Sequence, residues 1–311
     1  GVRGGMVFDR TDVYELEPDP SPIAAGALRV LRPDARFPQG APPPRWTCAQ
    51  EELAEALGAA APDASAPEAT SPTKSAVLSF DTDYEYLSIR FGGNITNLVN
   101  YMATLVANTT VIYERDIGPA KDQGVRILQG YSIVRASEAE DPYSDTLGTA
   151  DSAKLNEFTN YWEANYPRST VKRALAALLS GRQGSSSSAS GIAWVSGLCS
   201  GIGYSIDELF GVNYLAGDIL ILAHEMGHNF GAYHTHNCTY GTPPIDTCLA
   251  AEGGCAPQGS CPAPQTINGV TNVTGTLMSY CHLRGDGCTS SLVFHPVSYT
   301  GTTASNGIDD D

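Results

Sequence analysis

The stretch His224-Glu225-Met226-Gly227-His228-Asn229-Phe230-Gly231-Ala232-Tyr233-His234 constrains this chain more than any other. Positions i and i+4 share one face of a helix, so His224 and His228 can offer two imidazoles to one ion. Glu225 sits one step round, near enough to touch a metal-bound water without taking a coordination position. Gly231 can take the positive φ that ends a helix, and the chain then turns so that His234 arrives as a third nitrogen. Three neutral imidazoles suit one zinc ion per chain and leave its fourth position open to water, as catalytic sites do. Zinc brings that water's pKa toward neutrality, Glu225 takes the proton, and the hydroxide attacks a carbonyl polarised by the same ion. The short His-Glu-x-x-His form arises by chance on surface helices. Here it is extended at the required offsets by Gly231 and His234, and three of the chain's six histidines fall within it.

The cysteines point to a compartment. There are eight, at 48, 199, 238, 248, 255, 261, 281 and 288. Those from Cys238 to Cys261 crowd a Gly- and Pro-rich stretch with little core of its own, and no short Cys-x-x-Cys step is present. The cluster reads as a disulfide-stapled subregion in an oxidising compartment, not as a second metal site. Sequons at Asn94, Asn108, Asn237 and Asn272 fit a secreted glycoprotein. A net charge of −16, from 18 basic and 34 acidic residues, argues against nucleic acid and anionic membranes as partners. No apolar run reaches the roughly 18 residues of a membrane span. The chain opens on Gly1, which reads as a processed or truncated start, and it reads as extracellular, either secreted or the ectodomain of a longer protein.

Along the chain, Gly5–Phe8, Val13–Leu16 and Ala27–Leu31 are short strand-like runs between Pro-rich turns. Gly58–Thr73 is Ala/Pro/Ser-rich and aperiodic, a linker. From Ser75 the pattern is that of an α/β domain. Ala76–Phe80 reads as a buried strand, and Ile95–Val106 as a helix. Thr110–Tyr113 and Val125–Val134 read as strands, and Ala150–Tyr166 as a second helix. Ala174–Leu179 and Ile192–Val195 are further strands, separated by the flexible Ser185–Ser188 run, and Asp218–Phe230 is the third helix. Everything beyond is turn-rich. Asp81, Asp83 and Glu85 could bind calcium but lack the spacing of a recognised loop, so surface charge is the expectation. His236, His282 and His295 belong to no pattern, although His236 could compete with His234 as a ligand. Arg284-Gly285-Asp286 reads as a solvated turn.

These residues resemble a known family. The eleven-residue motif is the metzincin zinc signature, and Thr276-Leu277-Met278-Ser279-Tyr280-Cys281 matches the Met-turn of those enzymes. Within them the chain resembles the adamalysin (reprolysin) group, M12-type, over roughly residues 75–300. The likeness rests on HEMGHNFG, on Gly191-Ile-Ala-Trp-Val with Leu198-Cys199-Ser200, and on the Met-turn's trailing cysteine. It departs at Thr235, where adamalysins commonly carry Asp. The resemblance implies an α/β (α+β) two-lobed zincin fold. A twisted, mostly parallel sheet with helices would stand above a cleft, with an irregular, disulfide-stapled lobe below. It implies a zinc endopeptidase with Glu225 as base, His224, His228 and His234 as ligands, and Met278 as an apolar floor beneath the ion. Gly191–Val195 would be the edge along which an extended peptide substrate aligns. Residues just after Met278 would line the pocket for the side chain that follows the scissile bond.

By the same resemblance residues 1–57 are the remnant of a propeptide, 58–74 the linker and 75–311 the catalytic domain. Cys48 precedes the linker and could close the fourth zinc position as a thiolate, holding a zymogen silent. Parity runs the other way, since all eight cysteines could pair. Two other functions stay open: a catalytically silent binding module that keeps the fold, and a zinc hydrolase of a non-peptide amide or ester. Glu225 and all three histidines count against the first, and the Met-turn against the second.

Overall fold

The computed structural model describes residues 74–117, 124–144, 150–182 and 190–300, with three strands nearer the amino terminus. Those are β1 (Gly5–Asp9), β2 (Asp12–Pro18) and β3 (Leu28–Leu31), an antiparallel sheet of their own in the order β1-β2-β3. Cys48, the Gly58–Thr73 linker and the Ser185–Ser188 run lie outside the described residues.

The main sheet has the order β5-β4-β6-β8-β7. Its strands are β4 (Lys74–Thr82), β5 (Val125–Ser132), β6 (Leu175–Ser180), β7 (Gly191–Ala193) and β8 (Tyr204–Glu208). All neighbours are parallel except β7, which runs antiparallel along the outer side of β8. The middle strand β6 is uncharged and apolar up to its final Ser180, as a strand covered on both faces must be. Its side chains divide by the period of two. Leu175, Ala177 and Leu179 pack with α1 (Ile95–Asp116) and the later zinc-motif helix, while Ala176 and Leu178 pack with α2 (Ser152–Asn165). Sheet and helices thus make three layers.

The motif lies on α3 (Leu215–Asn229), in the same layer as α1. Beyond it the chain is irregular. Its regular pieces among the described residues are a short hairpin of β9 (Gln265–Ile267) and β10 (Val270–Val273), 3₁₀ turns at Cys238–Tyr240 and Cys281–Leu283, and the terminal turn α4 (Pro296–Thr300). Three disulfides staple this part: Cys238–Cys255, Cys248–Cys281 and Cys261–Cys288. The expected α/β architecture is therefore present, a mostly parallel sheet with helices joined to an irregular stapled region.

Two expectations are overturned. Thr110–Tyr113 is not a strand but part of α1, which runs on to Asp116. Its β-branched residues favour strand locally, yet Thr109, Ile112, Tyr113 and Asp116 continue the helix's buried face, and packing outweighs a propensity difference of a few tenths of a kcal/mol per residue. Asp81 and Asp83 are not surface charge; both are fully buried. Arg135 grips Asp81 through two nitrogens at 2.9 and 2.7 Å, with Tyr143 and Trp162 donating as well. Asp83 accepts from the backbone of Tyr86 and Gly181 and from the Ser180 hydroxyl. Glu85 pairs with Arg182 at 3.0 Å, so these acids serve protein donors and do not gather as a calcium loop.

Candidate metal centre

Every residue of the motif from His224 to Asn229 is buried. The helix stops where Gly231 adopts φ 101°, a value that a side chain disfavours. Ala232 N–H then reaches back to the Gly227 carbonyl at 2.9 Å, closing the turn that delivers His234 to the other two histidines.

Each imidazole is oriented through its Nδ1. That of His224 lies 2.8 Å from the Leu277 carbonyl, that of His228 2.7 Å from the Ala232 carbonyl, and that of His234 2.5 Å from Glu252 Oε1. All three partners are acceptors, so each Nδ1 carries the proton and each Nε2 keeps a bare lone pair. His228 Nε2 and His234 Nε2 face each other across 3.2 Å. Two lone pairs so close repel unless a cation sits against both. A tetrahedral zinc with Zn–N bonds of about 2.0–2.1 Å sets its nitrogens about 3.3–3.4 Å apart. All three ligand atoms lie within 4.8 Å of one another, so the residues fit a zinc ion. Burial, and then the neighbouring imidazoles, push His224 well below the ordinary histidine value and His228 down to about 3, which keeps both rings neutral as ligation requires.

The turn at Thr276–Tyr280 clasps the site from below. Leu277 O orients His224, and Met278 O accepts from the Thr235 backbone at 2.9 Å. Met278 is wholly buried, and its sulfur would sit 2.7 Å from a Cβ at Gly227, so only glycine lets this turn approach the helix. The Tyr280 ring lies 4.4 Å from that of His234. Glu225 is fully buried too, its carboxylate lying against the Cα of Gly191 in β7, where any Cβ would overlap it. The candidate base therefore stands between the motif helix and the sheet's outer strand. Asn229 ties the residue just after that strand to the start of β8, donating to the carbonyls of Trp194 at 2.8 Å and Tyr204 at 3.0 Å.

The structure brings together His224, His228, His234, Glu225 and Met278, all named from sequence, while Cys48 lies outside the described residues. His236 does not join the three Nε2 atoms: its own Nε2 is directed at Glu252, 3.3 Å away. At Thr235, where the sequence departs from the adamalysin pattern, the hydroxyl donates to the carboxylate of Asp246. Asp246 and Glu252 went unnoticed in the sequence because both lie in the aperiodic, cysteine-bounded stretch, where no spacing rule marks them. Burial would raise Glu252, but His234 and His236 hold it well below the usual carboxylate range. The turn Arg284–Asp286 closes on itself, Arg284 pairing with Asp286 at 2.7 Å and donating to the Cys248 and Gly259 carbonyls.

The profile of metallo-peptidase family M12 (Reprolysin_5) matches residues 71–283, more than half of the chain. The chain belongs to that family. It is a metallopeptidase with a reprolysin-like M12 domain, which implies zinc as the metal and proteins or peptides as substrates. No curated protein matches it. Among solved structures, one titled "Structure of a chaperone-substrate complex" is similar at 15% identity and a TM-score of 0.39, the match covering 52% of this chain and 24% of that one. So faint a likeness carries no argument. In this M12 peptidase no described helix is long and apolar enough to cross a membrane.

Proposed function

We propose that this M12 metallopeptidase is a secreted zinc endopeptidase in which His224, His228 and His234 hold the metal and Glu225 is the catalytic base. The observation that carries the proposal is the orientation of three buried imidazoles, their Nδ1 protons tied to acceptors so that the Nε2 lone pairs converge. Zinc held there would act as a Lewis acid, polarising a carbonyl and lowering the pKa of water toward 7.

The chain's own residues do the rest. Glu225 takes the proton of the attacking water and passes it to the departing amine, a role suited to a carboxylate one residue from a metal ligand. The segment Gly191–Ala193 lies at the edge of the sheet, antiparallel to β8, so its outward backbone groups can pair with an extended peptide. Because that strand touches Glu225 through Gly191, substrate and base share one frame. Met278 fills the space under the helix with apolar atoms and keeps water out from below.

Three disulfides support an oxidising compartment. Residues 1–57 are proposed as the remnant of a propeptide, 58–74 as its linker and 75–311 as the catalytic domain. The start of β4 at Lys74 and the family match from residue 71 support that boundary. Cys48 is proposed to silence the uncut chain by occupying the position at which water must react.

The test is cleavage of a mixed peptide library by the purified chain, with products sequenced by mass. Internal cuts that vanish with a chelator and return with zinc are expected. Terminal trimming alone would refute the endopeptidase reading, and a zinc-loaded chain that cuts nothing even after the linker is cleaved would favour the silent module. A Cys48→Ala chain that is no faster than uncut wild type would remove the latency proposal.

A further inference from the structure

We infer that Glu252 is a positioning residue for the third imidazole, gripping His234 through Nδ1 and braced in turn by His236 and Asn237; this rests on the zinc site proposed above.

His224 and His228 are oriented by backbone carbonyls, whereas His234 alone of the three is oriented by a side chain, and by a charged one. Glu252 Oε1 accepts from His234 Nδ1 at 2.5 Å and lies 3.3 Å from His236 Nε2, while Oε2 accepts from Asn237 Nδ2 at 2.9 Å. Three N–H donors therefore converge on one largely buried carboxylate. A carboxylate accepts at both oxygens and donates at neither, so it can serve all three. An amide has a single acceptor oxygen and must turn its own N–H groups toward one of the donors.

The arrangement decides which ring nitrogen is free. With its proton held at Nδ1 by Glu252, His234 must present Nε2 to the metal, and an anionic acceptor also makes the ring a stronger electron donor. With its proton held at Nε2 by the same oxygen, His236 is turned away from the three converging nitrogens. Its ring stacks on that of His234 at 5.4 Å and 7°, which limits the rotation of both. One carboxylate thus selects His234 as the ligand over its neighbour two residues on.

Glu252 is itself fixed by backbone and covalent ties. Its N–H donates to the His236 carbonyl at 3.1 Å, and its carbonyl accepts from Cys238 N–H at 2.9 Å. The Cys238–Cys255 disulfide closes the loop that carries it, and Gly253, at φ 91°, packs against the Cys238 sulfur. The loop staple thereby holds in place the carboxylate that orients the third imidazole.

The experiment compares full-length wild type, Glu252→Gln, Glu252→Asp and His228→Ala by chelator competition for zinc and by the visible spectrum of the cobalt-substituted protein. Disulfide mapping and thermal unfolding of the metal-free chains check the fold. Wild type should bind one ion. Glu252→Gln should keep its three disulfides, bind zinc roughly 10–100-fold more weakly, and show displaced cobalt bands. Glu252→Asp retains charge and acceptors but withdraws them by one methylene, and it should weaken binding in the same direction; it decides the matter should the Gln variant fail to fold. A purely structural Glu252 would lower the unfolding temperature and leave zinc affinity and cobalt bands unchanged, which overturns the inference. Two ions per wild-type chain would overturn it as well, since Glu252, His234 and His236 would then be ligands of the second. A wild type that binds no zinc, or a His228→Ala chain that binds it undiminished, sinks the zinc site itself.

Discussion

Glu225 is closely bounded on the side of β7. Its carboxylate is buried against the Gly191 Cα, and its helix is covered on every side. Replacing it by Gln preserves the shape and removes the base, so Glu225→Gln should keep one zinc per chain and lose about 10²–10⁴-fold in turnover. Near-normal turnover in a metallated variant would exclude the role. Gly191→Ala is the complementary test from the strand side. The new methyl overlaps the carboxylate, so kcat should fall by at least tenfold with zinc content unchanged, measured on the same peptide; full activity would mean that the strand and the base are not coupled as described. The histidines and Glu225 were legible because they lie at short fixed offsets, Glu225 one residue, His228 four and His234 ten after His224, which a single helix and its end supply. Gly191 was legible only as an edge-strand residue, because its contact with Glu225 crosses from sheet to helix.

At the scale of elements, the end of α3 is the part on which the site turns. Gly231 sits at φ 101°, and a Cβ there is strained by about 1–2 kcal/mol. Gly231→Ala should lower the unfolding temperature and also weaken zinc binding, because the same dihedral aims His234. A drop in stability with zinc affinity intact would separate the cap from the site. The end of β4 offers a second test. Asp81 and Arg135 form a buried pair at 2.7 Å, and Asp81→Ala leaves a guanidinium without its anion, at a cost of about 3–5 kcal/mol. Urea unfolding should register that loss, and a change under about 1 kcal/mol would mean that Arg135 finds another partner. Asp81 was misread from sequence as surface charge, because Arg135 lies far along the chain from it and no local period joins them.

On the scale of the whole molecule, stability should respond to pH through Asp207 of β8. Burial raises its carboxyl to about 8, with Ser205 donating to it and the charge of Asp218 adding to the rise. The folded state thus holds a proton that the unfolded chain releases near pH 4. The resulting stability is complete below about pH 4, falls as pH rises, and is gone above about pH 8, with a slope of at most about 1.4 kcal/mol per unit. Asp207→Asn should flatten that slope in unfolding measured from pH 5 to 8; an unchanged slope would mean that Asp207 is already ionised when folded. The apolar run of β6, the helical periods of α2 and of the first part of α1 up to Val106, and the motif on α3 were set by the sequence alone, since each is a pattern that nearby residues complete. So was the crowding of cysteines that demanded staples. Which cysteine met which was decided by the tertiary structure, for six cysteines allow 15 connectivities and spacing ranks none of them. The same holds for Glu252 at His234, Asp246 at Thr235 and Gly191 at Glu225. Each joins segments whose separation carries no period, so only the packed path of the chain brings them together.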